Sequence, residues 1–194
     1  MAKRVFFAFH YQDVIDFRAN VVRKHWVTKP DREEAGFFDA SLWEAAKRTS
    51  PVAVKRIING GLEGTSATCV LIGSQTYARP WVRYEILKSF KKDNHLFGVH
   101  INSIPGKDTL TKAQGPNPLE YVGVTFSSSG ETATLYEWAT DAWKEFPEVD
   151  DGSSYRIAPV SQQYRGNGYR LAQWFPVYDW VANDGYNNFA DWVG

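Results

Sequence analysis

The chain has 194 residues, 22 Lys+Arg against 22 Asp+Glu, and one cysteine. That length fits one domain able to bury a core without disulfides or a structural metal, and a net charge of zero excludes the global basic field that draws nucleic acid or an anionic membrane. The lone Cys69 excludes a disulfide framework and a Cys-based zinc site within the chain.

Arg4–Phe9 is a nearly unbroken apolar run and predicts a strand buried on both faces. Asp13 is placed to cap a helix with Val14, Phe17, Val21 and Val22 on one face, ending near Trp26. Gly36–Ala40 predicts a short second strand, and residues 41–50 a polar loop that contains Trp43. Pro51 opens a helix with Val52, Val54, Ile57 and Ile58 on its apolar side, and Gly60-Gly61 are expected to stop it. Ala67–Ile72 is the clearest buried strand, followed by a turn at Gly73-Ser74. Pro80 opens a helix running to about Lys92, and His95–Ile101 is the next strand. Alternating strands and helices predict an α/β fold with a doubly wound parallel sheet. No signal-peptide core and no membrane-length apolar stretch (~20 residues) is visible, and the lone cysteine in an apolar run makes a reducing, cytoplasmic setting the expectation.

The second half changes character. Lys112–Pro118 reads as a loop, and Tyr121–Phe126, Thr132–Trp138 and Ala142–Phe146 as short antiparallel strands. Pro147–Gly168 is mostly loop, and Tyr186, Phe189 and Trp192 have helical spacing after Asn183-Asp184. Five of the 8 tryptophans and seven of the 10 tyrosines lie after residue 120. The chain is therefore divided into a sheet domain over 1–118 and an aromatic-rich elaboration over 119–194, packed on it.

In an open parallel sheet, ligands bind beyond the carboxyl ends of the strands. That rule selects Phe9, His10 and Tyr11 after the first strand, Asp39 and Trp43 after the second, and Ser74 after the third. Gly60, Gly61 and Gly64 lack the context and the lysine of a phosphate loop. The helix from Pro80 is more informative. Val82, Ile86 and Phe90 form its core stripe, while Trp81 and Glu85, four apart, share a flank. A glutamate on a helix flank is ordinarily a solvated charge; this one sits at the predicted ligand edge. His25, His95 and His100 show no metal-ligand spacing with one another or with the cysteine, so no metal is expected.

The strand RVFFAF with HYQD, then TCVLIGS, then WVRYE, resembles the TIR-like family. There a strand, a serine-containing turn and a W-C-x-x-E helix carry the active-site glutamate. Here the motif is Trp81-Val82-Arg83-Tyr84-Glu85, with Val82 in place of the cysteine and Ala8 where a serine is common in the first strand. FFAFHYQDVIDF, ASLWE, NGGLEGTSATCVLIGSQT and YDWVANDGYNNF extend the likeness over essentially the whole chain, toward the TIR-like proteins of bacterial Thoeris antiphage systems. The resemblance implies a flavodoxin-like fold and cleavage of NAD+ as substrate, with no separate cofactor. It also implies formation of a cyclic ADP-ribose isomer, a messenger that activates a partner NADase, ThsA. It leaves homo-oligomerisation on activation open.

The residues suit that chemistry. Nicotinamide leaves as a neutral base, so no general acid is required. Glu85 alone can position the ribose hydroxyls and stabilise the oxocarbenium-like transition state. Aromatic faces suit the nicotinamide cation and adenine. Residues 1–100 hold 16 Lys+Arg against 10 Asp+Glu, and residues 101–194 hold 6 against 12. That excess reads either as two differently solvated surfaces or as a half that handles an anionic pyrophosphate, with Arg79 facing the ligand edge and Arg83 facing away. Loop 40–50 and the aromatic second half are candidate lids. Two other readings stay open: a non-enzymatic TIR interaction module, in which WxxxE is structural, and an NAD+ hydrolase that yields linear ADP-ribose.

Overall fold

The apolar run at the start of the chain forms strand β1 (Lys3–Phe9), and its alternate side chains enter two separate cores. The computed structural model describes residues 3–36, 50–147 and 152–194. After β1 come helices α1 (Tyr11–Ile15) and α2 (Arg18–Val27) and strand β2 (Arg32–Ala35). Helix α3 (Pro51–Leu62), strand β3 (Ala67–Ile72), helix α4 (Pro80–Lys91) and strand β4 (His95–His100) follow. Then come β5 (Val122–Phe126), β6 (Thr132–Ala139), β7 (Ala142–Glu145), β8 (Ser154–Arg156) and β9 (Gly168–Arg170). Strand β10 (Val177–Asp179) and helix α5 (Gly185–Val193) close the chain.

A five-stranded parallel sheet runs β2-β1-β3-β4-β10. Phe7, Cys69 and Phe97 lie in one row across β1, β3 and β4 and face α2 and α5. Phe6, Ala8, Val70 and Ile72 face the other way, toward α3, α4 and the second sheet. Helices on both faces make the sheet doubly wound, as the alternation predicts. The second sheet is antiparallel, β7-β6-β5-β9, with β8 paired to β6. In chain order it lies between β4 and β10, so residues 119–194 hold both this insertion and the last strand of the first sheet.

Four expectations are corrected. The helix expected from Asp13 to Trp26 is two helices, because Phe17 takes a left-handed conformation (φ 67°). The next residue, Arg18, then turns inward and donates to the carbonyls of Ile104 (2.9 Å) and Leu110 (2.6 Å). Asp13 is no cap; it lies inside α1 and is buried. The second strand is Arg32–Ala35 rather than Gly36–Ala40, of which residues 37–40 lie outside the described residues. Its charged sequence hid it, as is common for an edge strand; Arg23 pairs with its Glu34 at 2.5 Å, and Trp26 Nε1 donates to the Glu33 carbonyl at 2.7 Å. Gly60-Gly61 sit inside the last turn of α3, held by the buried stripe Val54, Ile58 and Leu62.

The last helix is integral to the first core. Phe189 is fully buried, with ring centroids 6.2 Å from Phe7, 5.5 Å from Trp26 and 5.8 Å from Phe97. Among the described residues no helix is long and apolar enough to cross a membrane. Replacing Phe189 with Ala is expected to lower stability by about 3–5 kcal/mol, read by urea unfolding. A loss below ~0.5 kcal/mol, the range of surface changes, would show that α5 is an appendage.

Candidate active site

The strand order reverses between β1 and β3, and a crevice at such a switch point is where open α/β sheets bind ligands. A cavity of about 320 Å³ lies there. The end of β1 and the start of α1 supply Phe9, His10, Tyr11 and Gln12; Gly36 lies past β2. The opening of α4 supplies Arg79, Pro80, Trp81, Val82 and Glu85. Pro80 stands at the first turn of α4, where its missing N–H is harmless.

Glu85 is 5 % exposed, and its Oε2 has no hydrogen-bond partner among the described residues. Burial pushes its carboxyl well above the usual carboxylate range. The Nε of Arg79 is likewise buried and unpaired. Buried polar groups are nearly always satisfied in folded proteins. An unpaired acceptor and an unpaired donor on two residues that line one cavity fit a ligand that brings hydroxyl donors and an anionic acceptor. Trp81 lines the same cavity and meets the Tyr84 ring edge-on at 6.0 Å.

Of the residues expected at the site, Phe9, His10, Tyr11, Arg79, Trp81 and Glu85 are brought together. Ser74 is not among the lining residues; its turn is covered by Gly115, where a Cβ would collide with the Gly73 carbonyl. Asp39 and Trp43 lie outside the described residues. Arg83 points elsewhere, to Glu137 (3.1 Å) and to the carbonyls of Trp138 (2.8 Å) and Tyr77 (3.3 Å). Gln12 was missed; its place in the HYQD turn was the available signal. Among the described residues none beyond Glu85 lines the cavity, so the described part of the aromatic second half forms none of its walls. The rings of that half pack on one another and on α4, with Trp174 meeting Phe126 (6.1 Å), Tyr169 (5.0 Å) and the α4 residue Phe90 (6.3 Å). A larger groove of about 440 Å³ on the second sheet, walled by Tyr136 and Trp143, contains none of the candidates. Among the described residues no cluster of His, Cys, Asp and Glu could hold a metal ion.

A parallel sheet in this order, with a buried glutamate on the helix after its third strand, agrees with the TIR-like domain that the sequence motifs resemble. Residues 6–105 match the family model described as the Thoeris protein ThsB, TIR-like domain, and the chain belongs to that family. It is also 58 % identical over 193 residues, spanning 100 % of both chains, to a protein of Bacillus cereus (strain MSX-D12) named "Putative cyclic ADP-D-ribose synthase ThsB1".

The burial of Glu85 has a sign that can be measured. A carboxyl whose folded-state pKa is raised keeps its proton after the unfolded chain has lost it, so stability falls as pH rises from the unfolded pKa (about 4.3) toward the folded one. Glu85→Gln is therefore expected to melt higher than wild type at pH 7, with the gain vanishing below about pH 4. Scanning calorimetry across that range checks it; a Gln variant that melts lower at neutral pH would mean the carboxylate is already stabilised.

Proposed function

We propose that this protein cleaves the nicotinamide–ribose bond of NAD+ and closes the remaining ADP-ribose into a ring. The observation that carries this reading is the unpaired, buried Oε2 of Glu85 in the switch-point cavity. Kinship with the protein named "Putative cyclic ADP-D-ribose synthase ThsB1" supports it.

The bond from ribose C1′ to the ring nitrogen breaks, and its electron pair stays on nicotinamide, which leaves neutral. Positive charge then develops on the ribose. Glu85, as carboxylate, accepts hydrogen bonds from the ribose hydroxyls and faces that charge. The burial of the Glu85 carboxyl magnifies its effect, because charges act more strongly where water is excluded. The cationic ring of the bound dinucleotide favours the ionised carboxyl, opposing the upward push of burial. Trp81, Phe9 and Tyr11 offer ring faces for the heterocycles. Arg79 offers its unpaired Nε to the pyrophosphate. An ADP-ribose hydroxyl attacks C1′ and gives up its proton, so the products are the cyclic nucleotide, nicotinamide and one proton. The cyclic product serves as a cytoplasmic messenger that activates the NADase ThsA.

Purified protein incubated with NAD+ is expected to release nicotinamide and give a product one water lighter than ADP-ribose. Glu85→Gln should slow release by ~10²–10³, as for loss of one transition-state contact. Chromatography with mass spectrometry reads both. Equal rates in the variant would remove Glu85 from catalysis, and a product of linear mass would make the enzyme a hydrolase.

A further inference from the structure

We infer that Asp13 is a positioning residue for this site, clamping α1 to the turn that opens α4 through the hydroxyl of Thr76. Its kinetic test rests on the NAD+ reading above; its structural test does not.

Asp13 is 3 % exposed, and Thr76 is fully buried. The Thr76 hydroxyl accepts from the Gly73 N–H at 2.9 Å and donates to Asp13 Oδ2 at 3.4 Å. Gly73 lets this happen: a Cβ there would collide with both carboxylate oxygens of Asp13. The clamp reaches both walls of the cavity. On one side the Asp13 N–H donates to the His10 carbonyl at 2.9 Å, holding the turn that presents His10, Tyr11 and Gln12. On the other, the Thr76 carbonyl accepts from the Arg79 N–H at 3.2 Å, immediately before Pro80 starts α4. Glu85 follows one and a half turns along that helix.

The surroundings argue against a purely stabilising role. The charged groups that face Asp13 are Lys112 from the loop after β4, Arg18 from α2, and Asp16. Lys112 and Arg18 both pair with Asp16, and Arg18 also donates to two loop carbonyls. Asp13 keeps only the neutral Thr76 hydroxyl as its side-chain partner among the described residues. Burial raises its carboxyl to about 6, opposed by Lys112 and Thr76. A buried carboxylate with one neutral partner weakens a fold, whereas one that sets the distance between two catalytic walls has a use. Misplacement on the ångström scale is enough to slow a reaction a hundredfold.

The test compares wild type with Thr76→Val, Thr76→Ser, Asp13→Ala and Gly73→Ala. It reads kcat and KM for nicotinamide release, and amide hydrogen exchange over residues 74–82. Thr76→Val keeps shape and loses the bridge. It is expected to lower kcat by about tenfold or more with KM changed less than about threefold, since walls out of register weaken the contacts that Glu85 makes in the transition state. Exchange over 74–82 should rise. Thr76→Ser should restore both. Thr76→Val and Gly73→Ala should add little to Asp13→Ala, because all three act on one contact. Wild-type kcat and exchange in Thr76→Val would overturn the inference, as would independent, additive effects. If Gly73→Ala fails to fold, the Val–Ser pair still decides. If the wild type releases no nicotinamide, the NAD+ reading fails, and the exchange comparison alone decides the clamp.

Discussion

Helix α4 lies between two sheets, and the site depends on that confinement. It packs on β1, β3 and β4 of the parallel sheet and on β5 of the antiparallel one. Val82, Tyr84, Glu85, Ile86, Leu87 and Ser89 are all buried, so nearly the whole circumference is dry. Each polar group on it then needs a partner. Tyr84 donates to Asn59 at 2.9 Å, Ser89 accepts from Thr68 at 2.9 Å, and Arg83 reaches Glu137 and the Trp138 carbonyl. Glu85 is the exception, with its Oε2 left unpaired. A carboxylate held this way does not reorganise when charge develops beside it, and that is where preorganised electrostatic catalysis gains most.

This confinement also explains the aromatic second half. Its rings wall in α4 and one another, and the inserted sheet serves the site by excluding water from the helix. The chain then returns to the first sheet. β10 continues the parallel ladder beside β4, and α5 seats Phe189 under Phe7, so the insertion is anchored at both ends. The basic surplus of the first half resolves in the same structural direction. Arg4, Arg18 and Lys92 donate to backbone carbonyls, and Arg23 and Arg83 pair with acids. Arg79 stands apart, with an unpaired nitrogen buried at the cavity.

Buried parallel strands were legible because their signal is local. Ala67–Ile72 and the helix from Pro80 fall where the apolar run and the proline put them. Edge strand β2 was not, because an exposed strand carries no apolar run; REEA reads as surface. The role of Asp13 was hidden for a related reason. A carboxylate near a helix start reads as a cap, and only the tertiary approach of Gly73 and Thr76 buries it. On α4 the single stripe of Val82, Ile86 and Phe90 was too narrow, since helical periodicity describes one packed face and this helix has several. Motif and flank position point to Glu85, whereas its burial comes from tertiary packing that neither signal describes.

The central claim is that the dinucleotide reacts against Glu85 at the β1/β3 switch point. The most direct measurement is a crystal structure of the Glu85→Gln variant with intact NAD+. The account predicts the nicotinamide ribose in the cavity between Phe9 and Trp81, its hydroxyls within hydrogen-bond reach of the residue-85 side chain. A dinucleotide seated elsewhere, such as the groove beside Tyr136 and Trp143, with the switch-point cavity free of it, would contradict the account.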